Sequence, residues 1–130
     1  MLICCKDEIS SPEVEASIYQ KGKCIGSGLA KSVADSCFNY SFSQKLSLEF
    51  CVTGNCCPDS ARFITNYEIA HDTIKIFVKD IEQNLCRCVC KYLIHAEFSY
   101  LNLSSMVVNC YQIADGKSQL LYNRKISKSS

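Results

Sequence analysis

Three cysteines at alternate positions, Cys86, Cys88 and Cys90, open the most regular two-residue alternation in the chain. Successive residues of a β-strand point to opposite faces of its sheet, so residues two apart share a face. Apolar side chains continue the even positions as far as Tyr100, and the odd positions carry the charged side chains. The pattern predicts a strand over residues 86–101 with all three cysteines on its core side.

The length of this strand has two consequences. At ~3.3 Å per residue it would extend for about 53 Å, well beyond an ordinary strand, so we expect a bulge or bend near Lys91. The Cα atoms of Cys86 and Cys90 would lie about 13 Å apart in a regular strand. The sulfurs that bind one zinc ion lie within about 4 Å of one another, so one ion does not take all three cysteines.

Cysteine content points to disulfides. Eleven of the 130 residues are cysteine, which is typical of exported proteins and rare in reducing compartments. Cysteines two apart in one strand are near the upper limit of disulfide geometry, so we expect partners on different strands. Cys24 and Cys37 could instead close the loop between them, and the pairing stays open. The cysteines expected in disulfides are Cys24, Cys37, Cys51, Cys56, Cys57, Cys86, Cys88, Cys90 and Cys110.

A thiolate metal site is the alternative use of the same side chains. Soft sulfur donors suit copper(I) or zinc, and a cluster of several ions does not need every sulfur around one of them. The candidates for such a site are Cys56, Cys57, Cys86, Cys88 and Cys90. Disulfides remain the first expectation, with no metal and no cofactor.

Short alternating segments separated by turn residues fill the rest of the chain. The apolar positions two apart include Val14, Ala16 and Ile18; Leu46, Leu48, Phe50 and Val52; Ile74, Ile76 and Val78; Met106, Val108 and Cys110; and Leu120 and Tyr122. The predicted turns are centred on Gly22, Gly54 and Gly116. These features predict an all-β fold: an antiparallel β-sandwich of the immunoglobulin-like or a related type, disulfide-crosslinked, with about seven to eight strands.

The length of the chain predicts a single domain. Residues 1–12 read as an N-terminal tether and residues 13–126 as the β-sandwich domain. The polar residues 127–130 are expected to fray.

Several function classes find no support in the sequence. The net charge is +1 with no basic block, so we expect no nucleic-acid partner. No catalytic motif is complete, and we predict no catalytic residues and no enzymatic activity. His71 is interpreted as a turn residue, and His95 as a surface residue on the strand face opposite Cys90.

The first residues predict a lipid anchor. Met1, Leu2 and Ile3 precede Cys4 and Cys5, and a charged polar run follows at once. This order is typical of the end of a bacterial lipoprotein signal, in which a cysteine at the cleavage point receives the lipid and a polar tether follows. Cys4 and Cys5 are therefore the candidate lipidation residues, and a membrane is the expected partner.

Three motifs follow one another in the middle of the chain: a double cysteine in residues 54–63, an Asp-Thr-Ile strand in 72–80 and a C-x-C-x-C strand in 86–98. By these motifs the chain resembles small secreted cysteine-rich lipoproteins of Bacteroidota-type bacteria. The resemblance covers residues 50–112 and the N-terminal cysteine pair. It implies an exported location, lipid-anchored at the bacterial envelope or free in the periplasm or outside the cell, and it implies no particular chemistry.

Together these features predict a non-enzymatic envelope module for binding or structural support. A protein partner would be contacted through edge strands or end loops. The sequence identifies no small-molecule ligand. A metal-binding or redox protein that uses its cysteine thiolates is the alternative.

Overall fold

The computed structural model describes residues 14–27, 37–57, 62–82 and 87–129, and these residues form nine β-strands and no helix. The count exceeds the expected seven to eight strands because it includes β2, which has only two residues. Cys4, Cys5 and Cys86 lie outside the described residues. The strands are β1 (Glu15–Gln20), β2 (Gly26–Ser27), β3 (Phe38–Phe42), β4 (Lys45–Asn55), β5 (Phe63–Ala70), β6 (Thr73–Asp80), β7 (Val89–Ser99), β8 (Ser105–Ala114) and β9 (Lys117–Ser127).

The strands form two sheets that pack face to face. The first sheet has the order β1-β7-β4-β3, with β2 also paired to β7, and the second has the order β5-β6-β8-β9. Aromatic side chains meet between the sheets. The rings of Phe50 and Tyr122 lie 6.1 Å apart between centroids, and those of Tyr67 and Phe98 lie 5.4 Å apart, both edge to face. The predicted all-β sandwich is confirmed.

One pair of neighbouring strands is parallel. β6 and β8 run in the same direction, whereas every other described pair is antiparallel. Parallel neighbours need a crossover connection, and β7 supplies it by passing through the other sheet. The strand order also differs from the A-B-E-D and C-F-G sheets of immunoglobulin domains, so the fold is a related sandwich.

The core consists of the inward side chains of the central strands, as the alternation predicts. Burying a large apolar side chain stabilises a protein by about 1.5–3 kcal/mol, so this layer dominates the stability of the fold. The fully buried side chains include Leu46, Leu48, Phe50 and Val52 of β4, Ile74, Ile76 and Val78 of β6, Tyr92, Ile94, Ala96 and Phe98 of β7, and Met106, Val108 and Cys110 of β8.

Strand β7 is shorter than the sequence predicts. It begins at Val89, and its register with β4 is unbroken through Lys91, so the expected bulge at that position is absent. Cys90 is buried in the core as predicted. Cys88 precedes the strand and is exposed, so its predicted place on the core face is wrong. A shorter strand covers the core without needing to bend.

The irregularity lies instead between β8 and β9. Cys110 pairs with Tyr122 and Tyr111 pairs with Leu120, which leaves Leu121 as an extra residue. Leu121 packs against the core, whereas Leu120 is 49% exposed on the outer face. The predicted alternation, with Leu120 and Tyr122 on one face, is wrong because this bulge reverses the phase of the strand.

Gly54 lies within β4 and not in a turn as predicted. A Cβ atom at this position would lie 3.2 Å from Oδ2 of Asp80 and 3.2 Å from Cε2 of Tyr92. The close approach of neighbouring groups explains this glycine better than turn geometry does. Gly22 and Gly116 do adopt positive φ, +80° and +75°, at bends of the chain.

The described part of the predicted frayed tail makes hydrogen bonds. Ser127 ends β9, and the backbone N–H of Lys128 donates to the carbonyl of Ser104 at 2.7 Å. The backbone N–H of Ser129 donates to the carbonyl of Phe42 at 2.8 Å. These bonds join the chain after β9 to β3 and to the loop before β8.

Candidate binding cleft at one end of the sandwich

The turn between β5 and β6 and the loop between β7 and β8 meet at one end of the sandwich. An open cleft of about 790 Å³ lies there, within the usual size range of small-molecule sites. We call it the end cleft. Its lining residues are Val14, Ile69, His71, Asp72, Tyr100, Leu101, Asn102, Leu103 and Met106.

The end cleft combines apolar inner residues with a polar rim. Met106 is 2% exposed, and Val14 and Ile69 are partly buried against the core. His71 and Asn102 are exposed at the rim. An apolar surface with a few polar groups around it suits a ligand that has an apolar body and a polar end.

His71 occupies the β5–β6 turn, as predicted, in the left-handed backbone conformation with φ 58°. This conformation costs a non-glycine residue about 1 kcal/mol or more. Glycine would form the same turn without that cost. Histidine adopts this conformation more often than most non-glycine residues do, and at this turn it lies at the rim of the end cleft.

Tyr100 is left-handed as well, with φ 67°, and its side chain is 52% exposed. The sequence pattern placed it on the core face of the preceding strand, which is wrong because β7 ends at Ser99. For a bulky residue this conformation is an outlier, and such outliers cluster at functional sites. His71 and Tyr100 are two of only three left-handed non-glycine residues in the described chain, and both line the end cleft.

Sequence reasoning missed this loop as a site, although a signal was present. From Cys86 to Tyr100 every even position is apolar, whereas Asn102 is even and polar, and the apolar residues Leu101 and Leu103 are odd. A reversal of phase marks the end of a strand. The apolar residues beyond it were therefore available to line a cleft.

Hydrogen bonds within the fold hold Asp72 in the turn that lines the end cleft. The carbonyl of Asp72 accepts a hydrogen bond from the N–H of Val107 at 2.8 Å, which fixes the turn against β8. The Asp72 carboxylate accepts one from the Thr73 hydroxyl at 3.2 Å. No hydrogen bond joins His71 to Asp72 in the structure as described. The pair therefore lacks the base–orienter contact of nucleophilic catalysis.

The described cysteines lie away from the end cleft, and most of them are in disulfides. Three crosslinks are described, with Cα separations of 5.6–5.7 Å, and Cys57 is disulfide-bonded as well. The disulfide prediction is thus confirmed for these seven cysteines. The described pairs are Cys24–Cys90, Cys37–Cys51 and Cys56–Cys88.

The suggested disulfide between Cys24 and Cys37 is wrong. Cys24 lies beside β7 on the edge of the first sheet that holds β1 and β2, whereas Cys37 precedes β3 on the opposite edge. Each therefore bonds to the strand next to it, Cys24 to β7 and Cys37 to β4. Sheet order, which the sequence did not reveal, decides the pairing.

Cys110 is not in a disulfide, which corrects another prediction. It is a free thiol, fully buried on β8 between Ile76 of β6 and Tyr122 of β9. No cysteine occupies a paired position on either neighbouring strand. Burial raises the pKa of the Cys110 thiol, against a smaller opposing effect of Arg124. This cysteine behaves as an apolar core residue.

The candidate metal ligands are engaged elsewhere. Cys56, Cys57, Cys88 and Cys90 are in disulfides, and Cys86 lies outside the described residues. A disulfide sulfur carries no thiolate charge to offer a metal ion. Over residues 14–27, 37–57, 62–82 and 87–129, no group of three histidine, cysteine or acidic side chains is placed to hold a metal.

His95 lies on the outer face of the first sheet, as predicted, but two glutamate side chains cover it. Its Nδ1 lies 2.9 Å from Oε2 of Glu49 and its Nε2 lies 3.0 Å from Oε2 of Glu97, and the side chain is 12% exposed. Hydrogen bonds from Lys21 and then His95 lower the pKa of Glu49. Hydrogen bonds from His95 and then Lys45 lower the pKa of Glu97. These five side chains form the charge ladder of the first sheet.

Comparison with known proteins gives no relative. No protein-family model, curated protein or solved structure matches the chain. The described residues also contain no helix of the length and apolarity required to cross a membrane.

Proposed function

We propose that this chain is a non-enzymatic binding module of a bacterial cell envelope, attached to a membrane by a lipid on Cys4 or Cys5. The module binds a ligand with an apolar body and a polar end in the end cleft. The observation that carries the proposal is the pair of left-handed residues His71 and Tyr100, which line the same cleft.

The disulfides support the location. Crosslinks form and persist in oxidising compartments, so a chain with several of them acts outside the cytoplasm. The resemblance to small secreted lipoproteins supports a bacterial envelope within that class of compartment. The metal or redox alternative is less favoured, because four of its five candidate cysteines are in disulfides.

The tether length supports a position near the membrane. Val14 lines the end cleft, and Cys5 stands nine residues before it. Nine extended residues span at most about 30 Å. A lipid on Cys4 or Cys5 would therefore hold the cleft close to the membrane surface, where molecules with an apolar body and a polar end are concentrated.

Ligand binding is tested with a dansyl-labelled twelve-carbon fatty acid, followed by the rise in dansyl fluorescence. Leu103, 40% exposed, lines the end cleft, and Ile81, 55% exposed, lies at the opposite end, which provides matched variants. We expect Leu103→Asp to weaken binding by about tenfold or more, ~1.4 kcal/mol, and Ile81→Asp to leave it unchanged. Equal affinity of Leu103→Asp and the original protein, or equal weakening by both variants, would overturn the proposed ligand site.

Lipid attachment is tested separately in a Gram-negative host that expresses the full-length gene. Intact mass of the membrane-bound protein should show the added acyl chains. Replacing both Cys4 and Cys5 by serine should move the protein to the soluble fraction. A membrane-bound double variant, or a protein mass without added lipid, would disprove the lipid anchor. Neither result would bear on ligand binding in the end cleft, which the fatty-acid experiment tests separately.

A further inference from the structure

The two outer faces of the sandwich differ in chemistry. On the first sheet the charge ladder pairs Glu49 with Lys21 and Glu97 with Lys45, and His95 lies between the two carboxylates. An outer face with its charges paired in this way is ordinary for a sheet that faces water. The outer face of the second sheet has no comparable set of ion pairs among its described residues.

A row of four residues crosses the outer face of the second sheet. Asn66 of β5 pairs with Phe77 of β6, which pairs with Tyr111 of β8, which pairs with Leu120 of β9. The rings of Phe77 and Tyr111 stack with centroids 5.1 Å apart and an angle of 13° between their planes. We call these four residues the aromatic row. The β8–β9 bulge creates it, since a regular register would turn Leu120 inward.

Lysines surround the aromatic row. Lys75 and Lys79 lie two residues before and after Phe77, on the same outward face of β6. Lys125 of β9 lies on the same face, and Glu68 of β5 is the acidic residue that pairs with Lys75 in the register. None of the three lysines is within ion-pair distance of an acidic group in the chain as described. The face is therefore net positive and complementary to an anion.

Carboxamides complete the surface. Asn109 of β8 pairs with Asn123 of β9, and the Asn123 amide donates to the Asn109 side-chain oxygen. Asn66 adds a third carboxamide at the β5 end of the aromatic row. Each carboxamide offers both donors and acceptors, which matches the hydroxyl groups of a sugar.

We propose that the aromatic row and its lysines bind an anionic polysaccharide, that is, a chain of sugars carrying carboxylate groups. The faces and edges of Phe77 and Tyr111 provide apolar contact for the C–H surface of a sugar ring. Lys75 and Lys79 pair with its carboxylates, and the asparagines bond its hydroxyls. This surface is separate from the end cleft, so the inference does not depend on the proposed ligand there.

The spacing of the lysines favours a polymer over a single anion. The Cα atoms of Lys75 and Lys79 are about 13 Å apart along the strand, with Phe77 between them. A single carboxylate that paired with both ammonium groups would draw the two lysine side chains over Phe77 and cover its ring. A chain with repeated carboxylates reaches both while its sugar ring covers Phe77. An acidic polypeptide could also pair with both lysines, but it would leave the carboxamides without hydroxyl partners.

The experiment is affinity electrophoresis in native gels that contain polygalacturonate, with dextran as the neutral polymer. We expect polygalacturonate to retard the protein and dextran to have no effect, and added salt to weaken the retardation because the charges are exposed. The double variant Lys75→Gln/Lys79→Gln should lose affinity about tenfold or more. Tyr111→Val, which keeps an apolar β-former without the ring, should also bind more weakly.

The control variant is Lys21→Gln/Lys45→Gln, which removes the same charge from the opposite face. Unchanged retardation of this variant supports the assigned surface. Equal losses in the two double variants would show general attraction to positive charge and would overturn the proposal. Equal retardation by dextran, or tighter binding of polyglutamate than of polygalacturonate, would also overturn it. Circular dichroism of each variant shows whether the fold is retained. If the double lysine variant does not fold, the binding of the single variant Lys79→Gln is measured in its place.

Discussion

The guanidinium of Arg62 donates two hydrogen bonds to the Asp80 carboxylate, from Nε at 2.8 Å and from Nη2 at 2.9 Å. The Arg62 side chain is fully buried, and its Nη1 donates a hydrogen bond to the backbone carbonyl of Asn55 at 2.8 Å. The same carbonyl accepts a hydrogen bond from the Tyr92 hydroxyl at 2.7 Å. Burial acts to lower the pKa of Arg62, but hydrogen bonding and attraction by Asp80 outweigh it and raise the pKa. A charged arginine thus closes the end of the sandwich opposite the end cleft.

Asp80→Asn should be strongly destabilising, because it leaves the Arg62 charge buried without its partner. Breaking a buried pair on one side costs about 3–5 kcal/mol, and the partial exposure of Asp80 places the expected loss near the lower value. Urea unfolding followed by circular dichroism measures it. The control is Glu68→Gln, an exposed substitution on β5, which should change the unfolding midpoint little. Similar midpoints for Asp80→Asn and the control would contradict this role of Arg62.

The disulfides should differ in their contribution to stability. The Cys37–Cys51 crosslink has a sequence separation of 14, and the Cys24–Cys90 crosslink has a separation of 66. In the chain-entropy model these loops correspond to about 3 and about 4 kcal/mol. We therefore expect Cys24→Ala/Cys90→Ala to lower the free energy of unfolding more than Cys37→Ala/Cys51→Ala does. The pairing itself is checked by peptide mapping without reductant, and a Cys24–Cys37 peptide would refute it.

Cys110 should resist alkylation in the folded protein. Its thiol is buried and its pKa is raised, so the reactive thiolate is scarce and inaccessible. With iodoacetamide at pH 8 and no reductant, the peptide that contains Cys110 should stay unmodified. The same treatment in denaturant should modify it completely. Rapid modification under native conditions would show that β8 opens to solvent or that the thiol is not in the core.

Relief of backbone strain should stabilise the end cleft while impairing it. Glycine adopts positive φ freely, so His71→Gly and Tyr100→Gly should raise the free energy of unfolding by up to about 1 kcal/mol each. Binding of the dansyl fatty acid should weaken in the same variants, because the side chains that line the cleft are lost. As a control, Asp115→Gly relieves the third left-handed position, in the β8–β9 turn, and should stabilise the protein without affecting binding. If His71→Gly and Tyr100→Gly were more stable but still bound the fatty acid fully, the strained residues would not be needed for binding.

The alternation of apolar residues was enough to predict the sandwich, because burial of one strand face depends only on residues two apart. The inward positions from Leu46 to Val52 and from Ile74 to Val78 are buried as predicted. What failed depends on which strands become neighbours. The partners of Cys24 and Cys37 follow from sheet order, and the exposure of Leu120 follows from a one-residue shift between β8 and β9. Neither is encoded in local periodicity.

Acid should destabilise the protein through the charge ladder of the first sheet. The pKa values of Glu49 and Glu97 are lowered in the folded state, so both carboxylates bind protons less readily there than in the unfolded chain. Their contribution to the free energy of unfolding is fully present above the pKa of an unfolded glutamate, about 4.3. It is lost as the pH falls through the lowered pKa values of the folded state. The free energy of unfolding should therefore decline as the solution is acidified below about pH 5.

The variant Glu49→Gln/Glu97→Gln should reduce this pH dependence, since neither amide titrates. The variant also loses the ion pairs with Lys21 and Lys45, so it should be less stable than the original protein at neutral pH and approach the original protein's stability at low pH. Urea unfolding at intervals from pH 7 to pH 2.5 measures both curves. Glu68→Gln, an exposed substitution on the other sheet, is the control and should leave the slope unchanged. If the double variant kept the full acid slope, the charge ladder would not be the source of the acid sensitivity, and this prediction would be wrong.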